Sequence, residues 1–131
     1  MNVYINEKYQ SLDLLAKENK KKYNKNEPFP HIYFDNFFNE KILDQILIDW
    51  PNTKNNKNFF NDDGKNEKKI STSSPLALDS IPSLNGFLNF LNSFRFINFI
   101  QNITGIEESL IADPYFLGGG IHEIKKGGFL K

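Results

Sequence analysis

DPYFLGGGIHEIKKGGFLK, residues Asp113 to Lys131, is the stretch into which the rest of the chain leads. Its residue order predicts one β-strand, a Lys-Lys-Gly-Gly turn and the opening residues of a second strand. The second strand, Phe129-Leu130-Lys131, starts apolar and is followed by no turn residue, cap or polar tail. We therefore expect this hairpin to belong to a sheet whose remainder is missing from the sequence.

Strand alternation gives the histidine of this stretch a distinct environment. Gly120, His122 and Ile124 fall on one face of the predicted strand, and Ile121 and Glu123 fall on the other. The three glycines before the histidine indicate that the backbone closely approaches another strand or a ligand. A bulge or tight crossing, with the histidine as a polar group inside a sheet, explains them equally well. A phosphate-binding loop is excluded, because no Gly-Lys-Ser/Thr follows and the next residues predict a strand.

Two helices are predicted upstream of this stretch. Ser80 and Pro82 have the residue types of an N-cap and a first turn, and Ser93 has that of a second N-cap. Gly105 is expected to end the second helix. Each helix carries an apolar stripe that should pack into a core. The stripes comprise Leu84, Phe87, Leu88 and Leu91 in the first helix, and Phe94, Ile97, Ile100 and Ile103 in the second.

The segment from Asn52 to Ser74 is polar and is broken by Asp62-Asp63-Gly64. Only a few apolar residues, such as Phe59 and Ile70, could anchor it. A loop of this length in a compact domain is usually a mobile lid or a disordered excursion. Disorder is the favoured interpretation, because a lid needs a site to cover.

A strand and a helix are predicted before that segment. Pro28-Phe29-Pro30 disfavours helix, so His31 to Asp35 is predicted to form a β-strand. The following helix is capped by Asn36 or Asn39 and ended by Pro51. We expect this helix to lie on a sheet through one apolar stripe. The stripe comprises Ile42, Leu43, Ile46, Leu47 and Trp50.

The chain order predicts an α+β protein whose main sheet has barely begun. Tyr4 to Tyr23 is weakly helical and frays into the lysine-rich run Lys20 to Asn26, interpreted as a solvated face or linker. Residues 1–27 are therefore assigned to an N-terminal helix and linker. Residues 28–131 are assigned to one domain.

The composition excludes several classes of function. Lysine plus arginine number 16 and aspartate plus glutamate number 16, with no continuous basic face, so nucleic acid and membranes are not expected as partners. The absence of cysteine removes disulfides, thiolate metal sites and cysteine nucleophiles. Met1 to Gln10 has no signal-peptide core, and no apolar run has the length of a membrane span. A cytoplasmic protein is expected, and its oligomeric state is left open.

The residues contain no complete catalytic set. His31 and His122 are the only histidines, and His31 is interpreted as a half-exposed packing residue. His122 and Glu123 cannot hold one metal ion together, because adjacent strand residues point to opposite faces. A serine hydrolase is unsupported, since Gly-x-Ser-x-Gly is absent. No catalytic residue and no metal ligand is therefore assigned.

Three stretches together resemble one protein family. PFPHIYFDNFF, residues 28–38, is similar to the "PFPH-hydrophobic-D-x-F" opening of that family, and Ser93 to Gly105 is similar to its "FLxFLxxLTGI" helix. The most specific stretch is Asp113 to Lys131, which is similar to the strand pair "DPxxxGGGxHxxxxGGFLK". The family comprises bacterial and phage 2-oxoglutarate/Fe(II)-dependent dioxygenases related to prolyl 4-hydroxylases. The resemblance covers roughly residues 28–131.

The resemblance implies a fold and a reaction. The fold is N-terminal helices packed on the first strands of an incomplete double-stranded β-helix, or jelly roll. In the family, a His-x-Asp pair after the GGFLK element and a distal histidine bind Fe(II), and a later arginine or lysine binds 2-oxoglutarate; none of these lies in this sequence. The chain is therefore expected to be the inactive N-terminal part of an oxygenase. The complete enzyme would hydroxylate a small-molecule or prolyl-type substrate and decarboxylate 2-oxoglutarate to succinate.

Three residues are carried over from the resemblance as cosubstrate contacts. Ile124 lies near the position where many related hydroxylases have a tyrosine that touches 2-oxoglutarate, so its apolar side chain departs from that pattern. His122 shares its face and is expected to line the same pocket. Lys131, two positions after Phe129, is expected to face inward as well. Fe(II) and 2-oxoglutarate are implied for the complete protein, and neither is expected to bind this chain alone.

A second class of function stays open. In this alternative the chain is a non-catalytic α+β interaction module. The terminal hairpin would then be an exposed edge that pairs with a partner, because unpaired strand edges invite such pairing.

Overall fold

The computed structural model describes residues 2–54, 56–72, 75–117 and 119–131, and these residues form a mixed α+β architecture. Four α-helices accompany an open antiparallel sheet of four strands, so the predicted α+β class is confirmed. None of the helices in these ranges is long and apolar enough to cross a membrane. The elements in chain order are a 3₁₀ helix (Glu7–Tyr9), α1 (Leu12–Lys25), α2 (Glu40–Ile48), β1 (Phe59–Asp63), β2 (Glu67–Thr72), a second 3₁₀ helix (Pro75–Ser80), α3 (Pro82–Leu91), α4 (Phe94–Thr104), β3 (His122–Glu123) and β4 (Phe129–Leu130).

Helices α1 and α4 pack against each other around the first hydrophobic core. Burial of one such apolar side chain stabilises the fold by roughly 1.5–3 kcal/mol. Phenylalanine rings extend this core, and Phe37 stacks on Phe99 with ring centroids 5.8 Å apart. The core therefore joins residues on both sides of the boundary predicted at position 27. Its buried members are Ile5, Tyr9, Leu12, Ala16, Phe90, Phe99 and Ile103.

The N-terminal segment is tied to the residues that precede α2. Ile5 forms an isolated antiparallel bridge with Phe38, and the Asn39 N–H donates to the Tyr4 carbonyl over 2.9 Å. These bonds hold the segment in an extended path. The α-helix predicted from Tyr4 therefore begins only at Leu12, after one short 3₁₀ turn.

The strand predicted for His31 to Asp35 is wrong, because these residues follow an irregular path without a partner strand. Ile32 and Phe34 pack on the first core, while Tyr33 between them is exposed. The alternation of buried and exposed side chains is real. It arises because the segment packs on helices, and not because it pairs with another strand.

Helix α2 is correctly predicted in position, but its buried stripe is narrower than predicted. The Asn39 side chain caps it by accepting from the Lys41 N–H, as one of the two proposed caps. The helix packs against α3 as well as on the sheet, because Ile46 shares a hydrophobic core with Phe59 and Ile121. Its buried stripe is narrow: Ile46 is 7% exposed, whereas Leu47 is 70% exposed.

The predicted boundaries of α3 and α4 are nearly right. Ile81 and not Ser80 is the N-cap of α3, because Ser80 still belongs to the preceding 3₁₀ helix. The Ser93 hydroxyl caps α4 as predicted, and Gly105 ends that helix at φ +76°. Phe94 was predicted to be buried and is instead exposed, because α4 turns Phe99 and Ile103 toward the core.

A second hydrophobic core attaches the sheet to α2 and α3. Ile121 enters it just before β3, and Phe59 enters it from the start of β1. One end of the sheet is thereby fixed on the helices. The buried members of this core are Ile46, Leu78, Ile81, Leu84 and Ile121.

The disorder predicted for Asn52 to Ser74 is wrong, because most of this segment forms the β1–β2 hairpin. Strand β2 lies at the centre of the sheet and pairs with every other strand. The strands are rich in charge, yet Asp63 faces Lys68 across the hairpin, with their charged atoms 3.8 Å apart. Opposite charges on facing positions support strand pairing, so polarity alone was a poor guide to loop structure here.

The prediction of a terminal hairpin is also wrong. Strands β3 and β4 both pair with β2 and not with each other. Glu123 lies opposite Ile70, and Phe129 lies opposite Lys68. A single residue of β2 therefore spans the same distance as the whole segment 124–128. Lys125-Lys126-Gly127-Gly128 is thus a large bulge within one interrupted strand.

Candidate functional site

An open cleft of about 390 Å³ lies on one face of the sheet and contains His122; we call it the His122 cleft. Strand register explains its composition, because Ser71 faces His122 on one side of β2 and Phe60 on the other. Loop residues before β3 complete the wall. The residues that define the cleft are Phe60, Asp62, Glu67, Lys69, Ser71, Phe116, Gly120 and His122.

His122 is oriented by a buried hydroxyl. The Ser71 Oγ lies 3.1 Å from the His122 Nδ1, and which atom donates depends on the histidine tautomer. Ser71 is only 5% exposed, whereas His122 is an exposed residue. The buried hydroxyl can therefore hold the ring of an exposed histidine at the wall of the cleft.

Two carboxyl groups and one lysine form a charged chain in the same cleft. The Lys69 Nζ lies 2.6 Å from a carboxylate oxygen of Glu67. The hydrogen bond from Lys69, and then that from Asp62, holds the pKa of Glu67 below its ordinary value. The hydrogen bond with Glu67, and then partial desolvation, raises the pKa of Asp62. The hydrogen bond between the two carboxyl groups therefore shifts their pKa values in opposite directions.

The glycines before His122 have a structural explanation at one position. A Cβ on Gly120 would lie 2.7 Å from the Thr72 Oγ1, which is closer than real Cβ atoms come to other heavy atoms. A Cβ on Gly119 would meet nothing within 4 Å. Gly118 lies outside the described residues. Of the alternatives left open by the sequence, close approach to a strand therefore accounts for Gly120.

The three predicted cosubstrate contacts are not brought together. His122 lines the cleft, but Ile124 lies at the start of the bulge and is half exposed. The Lys131 Nζ lies 5.5 Å from the centre of the Phe129 ring. Phe129 faces Lys68, whose side chain alternates to the sheet face opposite Ser71 and His122, and Lys131 shares that parity. A role for these residues in cosubstrate binding stays a prediction.

The residues of the cleft fit neither iron nor a dicarboxylate by themselves. Within the described ranges, no group of three histidine, cysteine, aspartate or glutamate side chains could hold a metal ion. His31 lies elsewhere, with its Nδ1 2.8 Å from the Phe29 carbonyl oxygen. The one lysine of the cleft, Lys69, is already paired with Glu67, so it offers little charge to a dianion.

The sequence interpretation missed the polar residues of β1 and β2 that line the cleft. Their segment was treated as a loop, so Asp62, Glu67, Lys69 and Ser71 were not considered. The sequence does contain a signal for a strand with one polar face, because Glu67, Lys69 and Ser71 occupy every second position. On the opposite face, the buried Thr53 hydroxyl donates to the Glu123 carboxylate and helps to fix β3.

Comparison of the chain with protein-family models, with curated proteins and with solved structures gives no match. Function must therefore be argued from the motifs of the sequence and the chemistry of the His122 cleft.

Proposed function

We propose that this chain is the N-terminal part of a 2-oxoglutarate/Fe(II)-dependent oxygenase similar to prolyl 4-hydroxylases. The observation that carries the proposal is the sequence pattern Gly-Gly-Gly-x-His followed by Gly-Gly-Phe-Leu-Lys between residues 118 and 131. It is supported by the cleft, because Gly120 and His122 of this pattern line the same open surface. The proposed reaction is hydroxylation of an unactivated C–H bond in a small-molecule or prolyl-type substrate.

The proposal includes a larger sheet than the four described strands. Strand β1 pairs only with β2, and the outer edge of β3 and β4 has no partner among the described residues. Unpaired edges of this kind are normally covered, because their backbone N–H and C=O groups would otherwise pair with other chains. Further strands added at these edges would complete a jelly roll.

The role proposed for this chain is structural support of the reaction centre. Fe(II) would supply oxygen activation when bound, and its ligands are expected outside residues 1–131, because the described residues fit no metal ion. Within the chain, Ser71 holds the His122 ring at the cleft wall, and Gly120 lets β3 approach β2. The 131 residues alone are expected not to release succinate from 2-oxoglutarate.

The first test is the coding sequence that follows Lys131. We expect a His-x-Asp pair within a few codons, and later a histidine and an arginine or lysine. Protein that includes this region should release succinate with Fe(II), ascorbate and 2-oxoglutarate, while the 131-residue chain should match a no-protein control. A stop codon directly after Lys131, or succinate release by the short chain, contradicts the proposal.

A second candidate function is supported by the unpaired sheet edges. The chain would then be a non-catalytic module that binds an extended peptide through β1 or through the outer edge of β3 and β4. The pairing would not use a terminal hairpin, because β3 and β4 do not pair with each other. This function predicts that the 131-residue chain binds an extended peptide through one of these edges, whereas the oxygenase proposal predicts that further strands of the same protein occupy them.

A further inference from the structure

A groove with an acidic rim runs beside α2. Its volume is about 790 Å³. Its uncharged lining combines two asparagines with three phenylalanines and two leucines: Asn6, Asn36, Phe34, Phe37, Phe38, Leu43 and Leu47. We call it the α2 groove. It lies apart from the His122 cleft, with which it shares no lining residue.

The charged residues of the α2 groove are both negative. Glu40 and Asp44 line it, and no lysine or arginine does. They are four positions apart in α2, so their side chains lie about 6 Å apart along the helix. Neither carboxylate has an ion-pair partner among the residues that the structure describes. An occupant of this groove should therefore combine an apolar side chain with two suitably spaced cations.

The outer face of α1 has this chemistry. The helix buries Leu12 and Ala16 against α4, which turns Leu14, Lys17 and Lys21 to solvent beside one exposed acid, Glu18. Leu14 is 52% exposed although it is apolar. Lys17 and Lys21 are four positions apart, the same spacing as Glu40 and Asp44. We call these three exposed residues the α1 ridge.

We propose that the α1 ridge of one molecule docks into the α2 groove of a second copy of this chain. Leu14 would enter between Leu43 and Leu47, and Lys17 and Lys21 would pair with Glu40 and Asp44. Burial of the apolar side chains supplies most of the affinity, and the charge pairs set orientation and register. Within the described chain neither lysine has an ion-pair partner, so docking displaces no existing pair.

The charges favour a second copy over an unrelated acidic or neutral partner. Ridge and groove carry opposite signs at the same spacing, in a protein whose net charge is +0. Since each molecule carries both surfaces, the association either closes as a two-fold pair with two equivalent contacts or propagates from molecule to molecule. In either case it should weaken when salt screens the exposed charges.

Sedimentation velocity over a range of protein concentrations tests this proposal. The protein should self-associate at low salt, and K17E/K21E on the ridge or D44K in the groove should weaken association about tenfold. Combining K17E/K21E with D44K and E40K restores opposite charges and should restore association. L47Q should also weaken it, and folding is preserved because Leu47 is exposed.

A matched control separates the groove from overall charge. E107K/E108K changes the net charge as E40K/D44K does, at exposed residues outside the groove, and should leave association unchanged. The proposal is overturned if the wild-type chain stays monomeric at every concentration. It is equally overturned if the control weakens association as much as D44K, or if the combined charge swap fails to restore it while L47Q has no effect.

Discussion

Ser71 and His122 meet across the central pair of strands, with the Ser71 Oγ 3.1 Å from the His122 Nδ1. Their backbones lie opposite each other in the β2–β3 register, so both side chains point to the same face of the sheet. The contact joins the segment interpreted from sequence as disordered to the strand with the most specific motif. Any function of the His122 cleft therefore depends on β2.

Replacement of Ser71 by alanine should release the His122 ring. We expect the free energy of unfolding to fall by roughly 0.5–1.5 kcal/mol, because one hydrogen bond is lost at a buried position. The ring nitrogens of His122 should also change their NMR shifts, since the tautomer is no longer fixed by the hydroxyl. S109A, at an exposed serine, is the control and should change neither quantity. Unchanged ring shifts in S71A would show that the contact does not orient His122.

The opposite pKa shifts of Asp62 and Glu67 predict two opposing pH dependences. The hydrogen bond with Glu67 raises the pKa of Asp62, so its stabilising contribution is present at low pH and is lost as pH rises through the raised value. The hydrogen bond from Lys69 lowers the pKa of Glu67, so its contribution is lost as pH falls through the lowered value. The two contributions to the stability of the β1–β2 hairpin should therefore change in opposite directions with pH.

Carboxyl-carbon NMR titration checks this behaviour. In the wild-type chain, Asp62 should titrate above its ordinary pKa of 3.8, and Glu67 should titrate below its ordinary pKa of 4.5. D62N keeps a hydrogen-bond donor toward Glu67 and should remove the loss of hairpin stability at higher pH. Titration of both carboxyl groups at their ordinary pKa values would contradict the hydrogen bond between Asp62 and Glu67.

The helix boundaries could be predicted because their signals are local. Each helix cap contacts backbone groups within one helical turn, so the nearby sequence is enough to assign it. The caps concerned are Asn39, Ser93 and Gly105. The sheet could not be predicted in the same way, because the charged side chains of one strand lie opposite charged side chains of the neighbouring strand. Lys69 and Asp62 pair across the hairpin, but they are farther apart in the sequence than the single turn over which a helix cap acts.

The bulge between β3 and β4 could not be predicted, for a related reason. Two lysines followed by two glycines are typical of a tight turn, and a turn is present, with the Gly128 N–H donating to the Lys125 carbonyl. The Lys-Lys-Gly-Gly pattern does not indicate which strand β4 pairs with. A Cβ on Gly128 would lie 2.6 Å from the Lys68 carbonyl oxygen, so this glycine returns the chain to β2. The His122 cleft was therefore predicted from one of its strands only.

Two neighbouring residues of α2 test how that helix packs. I46A should destabilise the fold by about 2–5 kcal/mol, because Ile46 is buried in the second core. L47A should change the free energy of unfolding by no more than about 0.5 kcal/mol, since Leu47 lies on the surface. Urea unfolding of both variants, measured at a concentration where the protein is monomeric, provides the comparison. Equal losses would mean that α2 buries the broader stripe predicted from the sequence.

Adjacent glycines before β3 offer the sharpest test of the cleft wall. G120A should destabilise the fold by about 1–3 kcal/mol, because the new methyl group would overlap the Thr72 Oγ1, 2.7 Å from the ideal Cβ position. G119A is the matched control: its Cβ meets nothing within 4 Å, so it should be neutral or slightly stabilising. Removing the hydroxyl in T72A should relieve most of the cost of G120A, which a double-mutant cycle of urea unfolding measures. If G120A costs as much with Thr72 as without it, the glycine is required for another reason, such as contact with a ligand.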